Sequence, residues 1–286
     1  MADSGRSVST RSVHPPCCRA PEHCEERSVR PTALELPARA SKPRATGLTM
    51  VVDGGLPTRS FADIVESGAE YLDFVKFGWG TAIVTNDLRR KIDILADAGI
   101  DYYFGGTLFE KFVLQDRFDD FRDLCVSYGC RYVEVSNGTI SLSSMEKVGY
   151  ITKLAADFRV VSEVGFKDAE RSELLAPDRW IEDIHDDVNA GAFLVTLEAR
   201  ESGKAGICRP NGELRFGLIE EILASDVPVR RLLFEAPSNE LQCYFVRRVG
   251  TDVNLGNIPS TSILNLETIR LGLRSDTLEC FEAKVS

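Results

Sequence analysis

From residue 48 onward the chain alternates short apolar, β-rich runs with longer stretches in which apolar residues recur every three or four positions. The runs are LTMVVD (48–53), LDFVKF (72–77), DYYFG (101–105), RYVEVS (131–136), RVVSEVG (159–165), AFLVTLE (192–198), RLLFEAP (231–237) and DVNLGN (252–257). Between them, 86–99 sets Leu88, Ile92 and Leu95 on one helical face with Gly99 placed to end the helix. The stretch 178–191 repeats the plan: Asp178 is a candidate N-cap, Trp180, Ile181, Ile184 and Val188 face inward, and Gly191 closes it. Eight such units in about 230 residues predict a TIM (β/α)8 barrel, an α/β fold of typically about 250 residues. An open dinucleotide-binding sheet is disfavoured because no G-x-G-x-x-G follows the first run.

Composition sets the boundary of that unit. Residues 1–46 hold six of the twelve prolines and no sustained apolar periodicity, so they read as a disordered N-terminal tail ahead of a barrel domain at 47–286. His14, Cys17, Cys18, His23 and Cys24 crowd into this tail, but two prolines and the lack of a second cluster favour chance over a metal site. The tail carries eight bases against five acids, which leaves the barrel domain with 26 bases against 39 acids. So acidic a domain argues against nucleic-acid binding. No run of 18 apolar residues spans a membrane, no secretory apolar core is visible, and the eight cysteines form no C-x-x-C pair, which together lead us to expect a reduced, cytoplasmic protein.

In a barrel of this type the chemistry gathers where strands end, and here those ends are charged. The first carries Asp53, the second Lys76, the fourth Glu134 followed by Ser136 and Asn137, the fifth Glu163 with Lys167 beyond it, and the seventh Glu235. The sixth carries Glu198, Arg200, Glu201, Ser202 and Lys204, and the eighth Asn254 and Asn257. Ionised groups within apolar strands cost several kcal/mol unless paired or bound to metal. Mutual pairing into a salt-bridge network is one reading, and a ligand site is the other. His185 falls on a helix, and the cysteines of the barrel have no histidine partner, so thiol and imidazole chemistry are set aside.

Carboxylates on neighbouring strands suit a hard cation such as Mg²⁺, and Glu134, Glu163 and Glu198 are expected to hold it. Lys76, Arg200 and Lys204, with Asp53, Ser202 and Asn254, are expected to receive a small polyanionic substrate. Lys167 is the candidate proton carrier, with Glu163 and Lys76 beside it, on the expectation that neighbouring cations lower its pKa toward neutrality.

At these residues the chain resembles the phosphosulfolactate synthase family, whose members add sulfite to phosphoenolpyruvate on the route to coenzyme M. The resembling stretches are VDGGLP (52–57), DFVKFGWGT (73–81), GGTLFE (105–110), VEVSNGT (133–139), EVGFK (163–167), ARESGKAGI (199–207), FEAP (234–237), VNLGNI (253–258) and LETIRLGLRSDT (266–277), in order along the whole barrel domain. The resemblance implies a Mg²⁺-dependent carbon–sulfur lyase, a homo-oligomer, and Lys167 as general acid. Two positions depart from the family's pattern: Gly54 stands where a lysine is usual and Asn137 where an aspartate is frequent, which raises a different nucleophile as an alternative. The resemblance also reaches plant heat-stress-associated proteins on the same scaffold, a non-enzymatic alternative that the intact mouth motifs disfavour.

Overall fold

The computed structural model describes Met1, residues 33–200 and residues 202–281. The expected tail cluster at His14–Cys24 and Glu201 lie outside the described residues. Eight parallel strands form one sheet: β1 (Thr49–Asp53), β2 (Phe74–Phe77), β3 (Asp101–Phe104), β4 (Tyr132–Val135), β5 (Arg159–Val164), β6 (Ala192–Leu197), β7 (Leu232–Glu235) and β8 (Leu255–Pro259). Their order, β3-β2-β1-β8-β7-β6-β5-β4, closes β1 onto β8 and brings β3 beside β4, so the sheet is a nearly closed TIM-type barrel with helices between successive strands.

The strands read as near-continuous apolar runs because both faces are buried. Period-two alternation sends one set of side chains outward, under the helices, and the other into the lumen. Leu48, Met50, Phe74, Tyr103, Tyr132, Val161, Leu194 and Leu233 fill the lower lumen as a cluster distinct from the outer core. Two residues further along the same strands, the same inward register delivers Lys76, Glu134, Glu163, Thr196 and Glu235. An apolar strand therefore ends in an acid because its last inward position sits above the apolar plug.

The expected helices form with shifted ends. The helix expected over 86–99 runs Leu88–Asp97, and Gly99 follows it at φ +63°, the left-handed geometry that a helix-ending glycine supplies. The helix expected over 178–191 is Pro177–Asn189, so Asp178 lies in its first turn and Ala176 takes the N-cap position. Pro177 at the start explains the shift, since its fixed φ and missing N–H suit the first helical position.

The boundary at residue 46 also moves. Arg39 is buried, donating to Glu267 at 2.8 Å and to the Gly47 carbonyl at 3.0 Å, and Lys42 donates to the carbonyls of Ala69 and Leu72. Arg44 pairs with Asp73 at 3.1 Å. Residues 39–44 thus strap across the N-terminal ends of the strands, held by charge-assisted hydrogen bonds instead of the apolar periodicity whose absence suggested disorder. A cavity of about 600 Å³ lies at this end, between the strap and Arg131, Tyr132, Arg159 and Phe193.

Candidate active site

At the opposite, C-terminal end of the strands, Lys76, Glu134, Glu163, Lys167, Glu198 and Glu235 converge around a cavity of about 30 Å³, lined also by Trp79, Gly106, Thr107 and Asn257. The volume is close to one water's share of the liquid, about 30 Å³, because the side chains fill the mouth themselves. Lys76 Nζ lies 3.2 Å from Glu235 Oε1 and 3.5 Å from Glu134 Oε1. Lys167 Nζ lies 3.3 Å from Glu163 Oε1 and 3.9 Å from Glu198 Oε2. The four carboxylates are buried, whereas the Lys167 side chain keeps 22 % of its exposure and faces the opening.

Four acids against two ammonium groups leave an excess of negative charge in a low-dielectric mouth. Burial alone lowers the Lys76 pKa, but the carboxylates of Glu134 and Glu235 outweigh it and hold the ammonium well above its usual value. The same competition raises Lys167, with Glu163 and Glu198 overcoming burial. The lowered Lys167 pKa expected from the sequence is therefore reversed: its neighbours in space are acids, and it stays protonated. Burial pushes the Glu134 carboxyl up to about 7 despite Lys76. Burial, then Glu163 and Glu235, hold Glu198 well above the carboxylate range, while Glu163 is lowered because Lys167 and Lys76 overcome its burial. Protonated Glu198 beside ionised Glu163 is how so dense a cluster shares its charge.

Glu163, Glu198 and Glu235 each bring a carboxylate oxygen to within 4.8 Å of the others. Glu163 Oε1 and Glu198 Oε2, both buried, make no aligned hydrogen bond among the described residues and have Lys167 Nζ as their nearby cation, at 3.3 and 3.9 Å. Hard oxygen donors so placed fit a divalent cation such as Mg²⁺. Both Glu134 and Glu235 face Lys76 through Oε1 and accept a backbone N–H through Oε2, from Gly106 at the start of the helix Gly106–Leu114 and from Ala199 at 2.9 Å, so the grouping rests on position and not on free oxygens. Of the three glutamates expected to form a metal set, the structure groups Glu163 and Glu198 with Glu235 in place of Glu134.

The expected substrate residues divide. Lys76 is at the centre. Arg200, at φ +56°, donates to the Lys167 carbonyl at 3.4 Å, while Ser202 and Lys204 are exposed on the loop after β6 and do not line the cavity. Asp53 is a clamp for its own loop, accepting from Gly55 N and Leu56 N at 2.8 Å each and from Lys91 Nζ at 2.6 Å. Asn254 is not at the mouth. It precedes β8 and ties the opposite end together, accepting from Leu48 N and donating to the Arg230 and Leu232 carbonyls. The expected eighth strand began three residues too early, so Asn257 takes the lining position.

Three supporting residues escaped the sequence reading. Lys91 lies on the apolar stripe with Leu88 and Leu95, in the place expected for Ile92, and that stripe position was its only signal. Lys147 donates to the Glu163 carbonyl and to Asp187, both at 2.6 Å, and so fixes the end of β5 from behind. Glu110 is buried, accepts from Ser136 Oγ at 2.6 Å and from Thr139 N at 3.3 Å, and leaves Oε2 unpartnered among the described residues. Two glycines are demanded by close approach. A Cβ on Gly165, at φ +113°, would meet the Trp180 ring at 2.5 Å, and one on Gly206, at φ +63°, would meet the Glu198 carbonyl at 1.8 Å.

A nearly closed parallel barrel with a carboxylate and ammonium mouth at the strands' C-terminal ends belongs to the (β/α)8 enzyme scaffolds. Solved structures agree on the fold alone: 3-hexulose-6-phosphate synthase from Salmonella typhimurium matches at TM-score 0.52 and 11 % identity, covering 78 % of this chain and 97 % of that one. An aldolase from Escherichia coli K12 matches at TM-score 0.50 and 12 % identity, covering 76 % of each. Sequence is more specific. The family described as (2R)-phospho-3-sulfolactate synthase (ComA) matches residues 37–276, and the chain belongs to that family. Phosphosulfolactate synthase of Bacillus subtilis (strain 168) is 47 % identical over 245 residues, 86 % of this chain and 97 % of the relative. That of Methanothermobacter thermautotrophicus is 42 % identical over 247 residues, covering 85 % and 95 %. Among the described residues no helix is long and apolar enough to cross a membrane.

Proposed function

We propose that this protein is a phosphosulfolactate synthase that adds sulfite to phosphoenolpyruvate, giving (2R)-phospho-3-sulfolactate with the phosphate retained. The observation that carries the reading is the placement of one protonated lysine, Lys167, against a convergent carboxylate trio at the barrel mouth. Glu163, Glu198 and Glu235 would hold a Mg²⁺ ion, which when bound would supply positive charge to offset the charge developing on the substrate carboxylate. The sulfite sulfur attacks the methylene carbon and forms the new C–S bond. The electron pair of the C=C bond moves onto the carbon bearing the phosphate and into its carboxylate. Lys167 then delivers a proton to that carbon, which balances the addition.

Lys76 and Lys167 have a second task. Both reactants are anions, and two ammonium groups held in their charged form offset the repulsion that keeps the reactants apart in water. Substrate oxygens compete with Glu134, Glu163 and Glu235 for these ammonium groups, so binding exchanges internal ion pairs for substrate contacts in a mouth that is otherwise filled. Among the described residues, the buried free thiols Cys125, Cys130, Cys208 and Cys243 support a reducing, cytoplasmic setting.

The test is phosphorus NMR of the purified protein with phosphoenolpyruvate, sulfite and Mg²⁺. A new phosphomonoester without release of inorganic phosphate, lost on adding EDTA, is expected. An unchanged phosphoenolpyruvate signal from folded protein would overturn the reading. Gly54 gives a reason to include a thiol and sulfide in parallel: the Trp79 ring lies 3.2 Å from where a Cβ at 54 would sit, so no cation enters the mouth from the loop after β1. Turnover with those nucleophiles and none with sulfite would reassign the second reactant.

A further inference from the structure

Ser172 lies on the short helix Ala169–Leu174, outside the cavity lining, yet it is only 1 % exposed. Its hydroxyl donates to the Phe166 carbonyl at 2.7 Å and accepts from Phe166 N at 3.1 Å and from Gly206 N at 3.2 Å. A serine hydroxyl offers one donor and two acceptor sites, and all three are used on backbone groups of two different loops. Phe166 immediately precedes Lys167. Gly206 packs against the Glu198 carbonyl, and the next residue, Ile207, donates its N–H to that same carbonyl at 2.7 Å.

Arg215 secures the other side of the clasp. Its Nη1 donates to the Ser172 carbonyl at 2.7 Å and to the Gly206 carbonyl at 3.3 Å, and its Nη2 donates to the Leu175 carbonyl at 3.1 Å. One guanidinium and one hydroxyl thus join the segment carrying Lys167 to the segment that follows Glu198.

We propose that Ser172 and Arg215 are positioning residues that fix the loops after β5 and β6 as one unit and thereby set Lys167 against Glu198 and Glu163. Alanine at 172 removes the partner of Phe166 N, Phe166 O and Gly206 N at once, so both loops loosen together. The proposal rests on the proposed function for its kinetic arm and on geometry alone for its exchange arm.

The experiment compares the full-length protein with Ser172→Ala by hydrogen–deuterium exchange and by steady-state turnover of phosphoenolpyruvate. Expected are faster exchange at both 165–168 and 203–207, with the rest of the barrel unchanged, and a kcat lower by about 10- to 100-fold at an unaltered KM, as displacement of a reacting group by about 1 Å produces. Arg215→Lys, which keeps the charge and loses the planar fork, should give the same pattern and replaces Ser172→Ala should that variant not fold. Faster exchange in one loop only, or in neither, overturns the clasp. Faster exchange in both with kcat unchanged overturns the positioning role. A wild-type protein that makes no product would count against the proposed function, and the exchange arm would still decide whether one hydroxyl joins the two loops.

Discussion

Replacing Lys76 with methionine tests the electrostatics of the mouth most severely. The side chain is nearly isosteric, so the main loss is the charge that sits 3.2 Å from Glu235 and 3.5 Å from Glu134, both buried. Removing one partner of a buried ion pair costs about 3–5 kcal/mol, because the remaining charge is left uncompensated. Protonation limits that cost. Glu134 already reaches about 7 beside the cation, and without Lys76 it rises further. For an acid whose folded pKa is raised, the folded state binds more protons than the unfolded state between about 4.3 and the folded pKa, so stability falls as pH rises through that window. The wild-type window closes near 7 for Glu134, while that of the variant extends beyond it. The loss should therefore approach about 3–5 kcal/mol at about pH 8.5 and be smaller at about pH 6. Urea unfolding of metal-free Lys76→Met and wild type at the two pH values reads this directly. A loss below about 1 kcal/mol at both, the range of exposed ion pairs, or one independent of pH, would show that Lys76 does not neutralise buried carboxylates.

Further expectations concern the cation, the close-packed loop and the strap. Glu198→Gln mimics the protonated acid that burial and its neighbours impose, so metal-free stability should stay within about 0.5 kcal/mol of wild type. Mg²⁺ affinity by calorimetry should fall at least about tenfold, and unchanged affinity would remove Glu198 from the ligand set. Gly206→Ala and Gly203→Ala begin from the same φ of +63°, but only the first drives a Cβ to 1.8 Å from a carbonyl oxygen, whereas nothing lies within 4 Å of the second. Thermal melts should show Gly203→Ala folded with a loss of about 1 kcal/mol and Gly206→Ala far worse; equal losses would contradict the packing. Arg39→Ala removes the hydrogen-bonded partner of Glu267, which is 3 % exposed and keeps the neighbouring Arg270 charge, and should cost about 1.5–3 kcal/mol in urea unfolding, with a wild-type midpoint ruling out a structural strap.

Much of the barrel could be read from the sequence because every strand is an apolar run between amphipathic stretches, and the charged residues stood out as interruptions of those runs. The alternation that aims Lys76, Glu134, Glu163, Glu198 and Glu235 into one lumen is a local property, visible along each strand. Which acids meet was not local. Glu235 falls within 4.8 Å of Glu163 and Glu198 because β7 and the end of β6 bring their carboxylates together across the mouth, a placement that no single strand reveals. Lys167 misled for the same reason, since the strand-end cations Lys76, Arg200 and Lys204 were expected around it while the fold sets it against Glu163 and Glu198. Asn254 misled through strand register: Asp252 and Val253 belong to the preceding turn, and a shift of three residues moved the side chain to the other end of the barrel. Arg39, Lys42 and Arg44 were read as tail because their anchoring depends on carbonyls and acids distant in sequence, which hydrophobic periodicity does not register.

Lys167 is proposed to deliver a proton to the phosphate-bearing carbon as sulfite adds to phosphoenolpyruvate. Running the reaction in D₂O with Mg²⁺ and following the product by proton NMR measures that step. Deuterium is expected at the carbon bearing the phosphate, in a single configuration, and no product from Lys167→Met under conditions where the variant is folded. A Lys167→Met protein that still forms the deuterated product in the same configuration and at a comparable rate would contradict Lys167 as the proton donor.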